Sequence, residues 1–175
     1  MRTKFLVLSA LFISALLLSP QTGSAQFVNG KVFLGPSIGL SVVGSQPVFG
    51  AYFETPVTQP GKLGPGILGV AGRLDYWSWS SGFDSWTWIT IAAIANYHFA
   101  LEDKTWDPFV GVGLGYEHIS WSYAGSTFGY GNLYPGGIFF TVQAGARYFI
   151  SPNFALRALL GIGISYIDVG VDFGL

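Results

Sequence analysis

The sequence predicts an all-β protein: a closed antiparallel barrel of eight strands that spans a membrane and follows a cleaved signal peptide. Apolar residues alternate with small or polar residues along most of the chain after Gln26, which is the period of a β-strand. Charged residues make up 10% and hydrophobic residues 50% of the 175 residues. An ordinary soluble domain carries roughly 25% charged residues, so this composition argues against one.

The N-terminal segment has the features of a secretory signal peptide. Arg2 and Lys4 precede an apolar run over residues 5–18, and the small residues Gly23, Ser24 and Ala25 follow. The run is shorter than the roughly 20 residues that cross a bilayer as a helix, which disfavours the alternative of an uncleaved anchor. We therefore expect cleavage after Ala25, with a signal peptide at 1–25 and the barrel at 26–175.

Eight strands are predicted after the signal peptide, with turn-forming residues at almost every junction. Within each strand, side chains at alternate positions point to opposite faces of the sheet. The predicted strands are residues 31–43, 48–55, 67–80, 86–100, 109–123, 138–150, 154–162 and 165–175.

One face of the predicted sheet is apolar and the other is mixed. Small residues dominate the mixed face, which suits a narrow lumen, and bulky residues such as Phe140 dominate the apolar face, which suits lipid. Tyr97, Phe99 and Tyr148 lie near strand ends, where interfacial aromatic residues belong. Strands satisfy their backbone in a bilayer only when the sheet closes. The charged residues on the mixed face are Glu54, Arg73, Asp75, Glu117, Arg147, Arg157, Asp168 and Asp172.

These eight charged residues predict a buried polar network in the lumen, because unpaired charges there would be costly. A proton or ion path is the alternative. Eight strands enclose a lumen that side chains roughly fill, so we expect a structural plug and no open channel.

The pattern resembles the small eight-stranded outer-membrane barrels of Gram-negative bacteria, a group that includes opacity-like and outer-membrane-protein-X-like proteins of the porin family. The resemblance covers nearly all of residues 27–175 and is carried by 108–116, by 145–149 entering the turn at 151–153, and by the alternating C-terminal end. It implies a cell-envelope protein of the outer membrane, in contact with lipid and lipopolysaccharide and inserted by the barrel-assembly machinery. Members usually end in an aromatic residue, whereas this chain ends in Leu175 with Phe173 two positions earlier.

Aromatic residues concentrate at the barrel end that we expect to face outward. Trp77, Trp79, Trp86, Trp88, Trp121 and Tyr123 all fall on the lumen side of their strands. They predict either a cross-strand aromatic ladder or a surface that binds an apolar or glycan ligand. Residues 125–137 are predicted to form the longest exposed loop, and such loops carry partner recognition when they carry any function.

One pair of residues has a catalytic alternative. His118 and Ser120 share the lipid-facing side of one strand, and lipid A deacylase barrels carry a similar His-x-Ser pair. Here Trp121 follows the serine, and no Asp or Glu occurs between Glu117 and Asp168. An interfacial histidine beside an ordinary serine is the expectation, and no catalytic residue is assigned.

No cofactor or metal is predicted. The glycines at 111, 113 and 115 lie within a strand, so they are expected to pack in the lumen and not to cradle a phosphate. Without the signal peptide the chain has 6 basic residues, two fewer than the total of 8, against 9 acidic residues. This net charge gives no sign of a basic surface that would bind nucleic acid.

We expect a non-enzymatic outer-membrane barrel that is structural or binds an extracellular partner through its loops. The alternatives are a lipid A-modifying enzyme and a narrow pore.

Overall fold

A computed structural model describes residues 27, 30–42, 44–123 and 136–175, so the predicted signal peptide lies outside the described residues. Eight strands form a closed barrel in which each strand pairs antiparallel with its neighbours in sequence and β1 pairs with β8. The predicted fold class is confirmed. No helix in the described part of the chain is long and apolar enough to cross a membrane. The strands are β1 (Phe33–Ser41), β2 (Pro47–Pro56), β3 (Ile67–Ser81), β4 (Asp84–His98), β5 (Trp106–Tyr123), β6 (Gly137–Ser151), β7 (Phe154–Ile162) and β8 (Ser165–Gly174).

The predicted strand boundaries lie within three residues of the observed ones, and the largest difference is at the start of β5. The turn expected at 81–85 is shorter, because Ser81 pairs with Asp84 and only Gly82 and Phe83 lie between them. Gly82 has a φ of 59°, a left-handed conformation that costs glycine little. The turn expected between the predicted strands 86–100 and 109–123 also ends earlier, since β5 begins at Trp106. The start of the strand therefore includes Asp107, which had been assigned to the turn.

The side chains follow the two predicted faces. Charged and small residues of the strands point inward, and exposed large apolar side chains lie on every strand of the barrel. The exposed apolar residues include Leu34, Ile38, Phe53, Val70, Leu74, Ile89, Ile91, Val110, Val112, Leu114, Phe140, Val142, Leu160, Ile162, Ile167 and Val169. An outward apolar belt around an inward polar core is the arrangement of a transmembrane barrel.

The barrel is taller on one side than on the other. We call the end near residue 27 and Leu175 the terminal end, and the opposite end the outer end. The last β2–β3 pair toward the outer end is Phe49 with Tyr76, and the last β5–β6 pair there is Glu117 with Gly137. Residues 77–81, 84–89 and 118–123 therefore extend as a three-stranded sheet above the rest of the rim. We call this sheet the outer wall.

The seam between β1 and β8 is interrupted near its middle. The register pairs Leu34 with Phe173 and Ser37 with Gly170 but gives no partner on β8 for Gly35 or for Pro36, which has no N–H to donate. At the terminal end the seam is secured by two backbone hydrogen bonds. The N–H of Leu175 donates to the carbonyl of Val32 at 2.8 Å, and the N–H of Val32 donates to the carbonyl of Leu175 at 3.3 Å.

The seam depends on glycine at position 35. A Cβ atom there would lie 1.7 Å from the carbonyl oxygen of Val171. Gly35→Ala is therefore expected to lower the free energy of unfolding by about 1–3 kcal/mol or more, the cost of forcing extra atoms into a packed site. Urea titration in lipid vesicles, with unboiled gel migration to follow barrel closure, measures the effect.

Gly72→Ala is the matched control. Gly72 faces outward on β3, and its added Cβ would meet no atom nearer than 4.0 Å. This substitution should be neutral or stabilise the barrel by up to about 1 kcal/mol. Equal urea midpoints for the two variants would show that the Gly35 contact does not constrain the seam.

Candidate functional site: the lumen and the outer wall

Arg147 on β6 lies at the centre of a cluster in the terminal half of the lumen. Its Nη2 donates to Glu54 Oε2, its Nε to Asp172 Oδ2 at 2.6 Å and its Nη1 to Asp107 Oδ2 at 3.3 Å. Three carboxylates therefore surround one guanidinium that is itself completely buried. The guanidinium carbon also lies 5.3–5.8 Å from the ring centroids of Phe27, Phe33, Tyr52 and Phe109.

His98 joins the same cluster from the end of β4. Its Nδ1 lies 2.8 Å from Asp107 Oδ1, and its Nε2 lies 3.0 Å from Glu54 Oε1. Asn96, two residues earlier on the same face, donates from Nδ2 to Glu54 Oε1 at 2.6 Å and to the hydroxyl of Tyr52 at 2.7 Å. The β4 strand thus supplies neutral and basic partners to the buried acid of β2.

A second cluster occupies the outer half of the lumen. Arg73 on β3 donates from Nε and Nη2 to the two carboxylate oxygens of Asp75 at 3.1 and 2.8 Å, and from Nη2 to Asp168 on β8 at 3.1 Å. Arg157 on β7 donates to Asp172 at 3.0 Å, and its guanidinium lies over the ring of Tyr52 at 3.7 Å. Because Asp172 also binds Arg147, Arg157 connects to the terminal-half cluster.

The two clusters fill the lumen with contacts between strands that lie across the barrel. Glu54 of β2 meets Arg147 of β6, and Arg73 of β3 meets Asp168 of β8. Gln143 of β6 donates to Asn96 of β4 at 2.9 Å. Packing of this kind couples the walls of the barrel mechanically and leaves buried charges paired, as their desolvation requires.

The structure brings seven of the eight predicted lumen residues into these clusters, the exception being Glu117. Glu117 points inward as predicted but lies higher, at the level of Gly137, where it is only partly buried and has no ion pair among the described residues. Sequence reasoning missed Asp107, because the predicted strand began only at residue 109 and β5 begins at Trp106. His98 lies inside the predicted strand 86–100 and on its mixed face, but the predicted network included only Asp, Glu and Arg residues.

The tryptophans of the outer wall pack as a ladder on its lumen side. Trp77 stacks on Trp88 with ring centroids 5.5 Å apart and planes at 4°. Trp86 lies 5.9 Å from Trp88 and 5.8 Å from Trp121. Trp77 is buried, whereas Trp79, nearer the tip, is 42% exposed. Such cross-strand aromatic pairs stabilise a sheet by about 0.2–1 kcal/mol each.

A hydrogen bond anchors the ladder at its β5 side. The indole Nε1 of Trp121 donates to Asp84 Oδ1 of β4 at 3.0 Å.

Two predicted features lie outside the described residues. They are the loop predicted at 125–137, as far as position 135, and the side chain of Tyr123.

His118 and Ser120 lie on the outward face of β5, as predicted. The hydroxyl of Ser120 and Nε2 of His118 are 3.2 Å apart, and both side chains are exposed. A base within hydrogen-bond distance is what activation of a serine requires. No carboxylate among the described residues bonds to the second ring nitrogen of His118, so nothing described there orients the imidazole as a catalytic triad would.

The described residues contain no group of three or more acidic or histidine side chains that could hold a metal ion.

Comparison with solved structures shows the same fold. The chain superposes on a de novo designed transmembrane β-barrel with a TM-score of 0.55 and 15% identity, over 84% of this chain and 97% of the design. It superposes on the N-terminal β-barrel domain of Pseudomonas aeruginosa OprF with a TM-score of 0.54 and 18% identity, over 84% and 98% of the two chains. No protein-family model matches the sequence, and no curated protein matches it either.

Proposed function

We propose that this chain is a non-enzymatic barrel protein of the Gram-negative outer membrane that presents its outer wall to partners outside the cell. The observation that carries the proposal is the inverted burial of the barrel. Buried charges fill its centre, and large apolar side chains are exposed around its circumference. A soluble monomer rarely exposes apolar patches beyond a few hundred Å², whereas a lipid-facing barrel requires them.

The proposed orientation places the terminal end at one membrane interface and the outer wall beyond the other. Trp106 packs on Tyr148 at 4.9 Å and Tyr97 on Phe99 at 5.3 Å, near the terminal end. Such pairs form one interfacial girdle. The outer wall lies at the opposite end, so the proposal has it project from the distal face of the membrane. Lipopolysaccharide at that face and the barrel-assembly machinery during insertion are the proposed contacts common to such proteins.

The outer wall supports a role in partner binding. Among the described residues, β3 beyond Tyr76 has a neighbouring strand only on its β4 side. Unpaired backbone donors and acceptors on sheet edges are sites at which other chains add. The tryptophan ladder stiffens this sheet, so this edge is presented at low entropic cost.

Site-directed spin labelling tests the membrane assignment. The chain has no native cysteine, so Val142→Cys and Val169→Cys each carry a single label on an outward position. In vesicles both labels should collide with dissolved oxygen more than with a water-soluble nickel reagent. A label at Glu102→Cys, in the exposed turn between β4 and β5, is the control and should show the reverse. Water-like accessibility at Val142 and Val169 would refute the membrane location.

The enzyme alternative is tested at the serine. Ser120→Ala is expected to leave the acylation of lipid A unchanged when the protein is expressed in cells, because no carboxylate among the described residues orients His118 for base catalysis. Mass spectrometry of extracted lipid A measures this, with an empty-vector strain as reference. A change in acyl-chain number that requires Ser120 would instead establish a lipid A-modifying enzyme.

The pore alternative is tested by conductance. Cross-lumen ion pairs such as Glu54–Arg147 and Arg73–Asp168 occupy the space through which ions would pass. The purified barrel should give no stepwise currents in a planar bilayer. Reproducible single-channel steps that change on Arg73→Ser would favour the narrow pore.

A further inference from the structure

Phe27 occupies a closed seat in the terminal mouth of the barrel. Its side chain is only 3% exposed, although it precedes β1 and belongs to no strand. Its ring stacks on the imidazole of His98 at 3.8 Å with an interplanar angle of 17°, and the Arg147 guanidinium lies 5.3 Å from its centroid. Glycine at position 69 makes room for the ring and for the carboxylate of Glu54, because a Cβ there would lie 2.8 Å from both Phe27 Cζ and Glu54 Oε1.

The hydrogen bonds of His98 define its charge. Its two ring nitrogens face oxygens of two different carboxylates, Asp107 from β5 and Glu54 from β2. An ionised carboxylate only accepts hydrogen bonds, so both nitrogens must donate and the ring is an imidazolium. The further charged groups of the cluster are Arg147 from β6, which binds both of these acids, and Asp172 from β8.

The charge on His98 strengthens the contact with Phe27. A cation over an aromatic face is attracted by the ring quadrupole, and the attraction is largest where water is excluded. Loss of the proton would leave a lone pair on one nitrogen facing a carboxylate, so one hydrogen bond would become a repulsion. The ring would then lose both its fixed position and its charge.

We propose that Phe27 is a stopper for the terminal mouth, latched in place by protonated His98 and released when His98 loses its proton. The latch lies at the end of the barrel opposite to the outer wall, so it stands independently of any partner bound there. It gives the barrel a seal at this mouth that responds to pH.

Chymotrypsin cleavage tests the latch, because this protease cuts after phenylalanine and a seated Phe27 is protected. The folded protein in detergent micelles is treated over a series of pH values, and fragment masses give the cleavage rate after Phe27. Cleavage after Phe83, which is 67% exposed at the tip of the outer wall, corrects for the activity of the protease. The ratio is expected to rise about tenfold or more between about pH 6 and about pH 10, as a desolvated cation–π contact is lost.

The two histidines provide matched variants. His98→Gln should cleave rapidly after Phe27 at every pH, whereas His118→Gln, on the outward face of β5, should keep the pH dependence. Gly69→Ala should also expose Phe27 at every pH, because the added methyl group would displace both the Phe27 ring and the Glu54 carboxylate that holds His98. A flat ratio in the unmodified protein, or the same rise in His98→Gln, would overturn the latch.

A second measurement applies if His98→Gln fails to fold, as judged by unboiled gel migration. The side-chain nitrogen signals of His98 in the unmodified protein report its protonation by NMR. The rise in cleavage must coincide with the loss of the His98 proton, and a rise at a clearly different pH would also overturn the proposal.

Discussion

Arg147→Met is expected to lower the free energy of unfolding by about 3–5 kcal/mol, the cost of removing one partner from a network of buried ion pairs. The guanidinium bonds to Glu54, Asp107 and Asp172, and all three carboxylates lie where water is largely excluded. Without it, three buried acids would share only two cationic partners among the described residues, His98 and Arg157. Methionine replaces the apolar stem of the side chain but supplies no donor. Urea-induced unfolding in lipid vesicles, followed by tryptophan fluorescence, measures the change.

Lys62→Met removes a positive charge from an exposed turn and should shift the stability by no more than about 0.5 kcal/mol. Adding Glu54→Gln to Arg147→Met should cost less than the two separate effects combined, because one uncompensated charge is then absent. A near-neutral Arg147→Met would mean that water reaches the cluster and that the lumen is more open than its ion pairs indicate.

Leu74→Arg is expected to destabilise the folded barrel in a bilayer by about 2–4 kcal/mol, the cost of a cation on the lipid face near the membrane centre. Leu74 is 53% exposed on the outward side of β3. It pairs with Ile91 of β4, which is also exposed. The arginine would meet acyl chains on this surface and not water. Equilibrium folding into vesicles at several urea concentrations gives the free energy directly.

Leu101→Arg is the companion variant, since Leu101 is also exposed but lies in the turn between β4 and β5. It should cost less than about 0.5 kcal/mol, as most exposed substitutions do. If the two arginines cost the same, the apolar belt around Leu74 is not in contact with hydrocarbon.

Alternation was sufficient to predict the fold, because strands of a barrel repeat every two residues and a slip by one reverses every side chain. Arg147 and Arg157 lie inside, as their positions on the mixed face indicated, and Val142 and Val169 lie outside. The topology followed from the short turns, which connect antiparallel neighbours.

Strand ends were predicted less well, and part of the lumen cluster was missed for that reason. The predicted strands left residues 101–108 as a turn, but the carbonyl of Pro108 accepts from the N–H of Phe99 at 2.9 Å, just beyond the end of β4. A proline is tolerated near the start of a strand, so β5 can begin before Pro108. Asp107 therefore belongs to the strand, and its side chain points into the lumen. The seat of Phe27 lies outside any periodic segment, and only the three-dimensional contacts with His98 reveal it.

The interrupted seam also constrains how the protein is made. β1 emerges from the ribosome first, yet its second neighbour β8 is synthesised more than a hundred residues later, and the ring is completed only when Leu175 reaches Val32. During that interval the sheet has two unpaired edge strands and an exposed apolar surface. A chain in this state aggregates readily in water. We therefore expect the chain to need protection from water until β8 pairs with β1, and a chain that ends upstream of β8 would lack the strand that closes the ring.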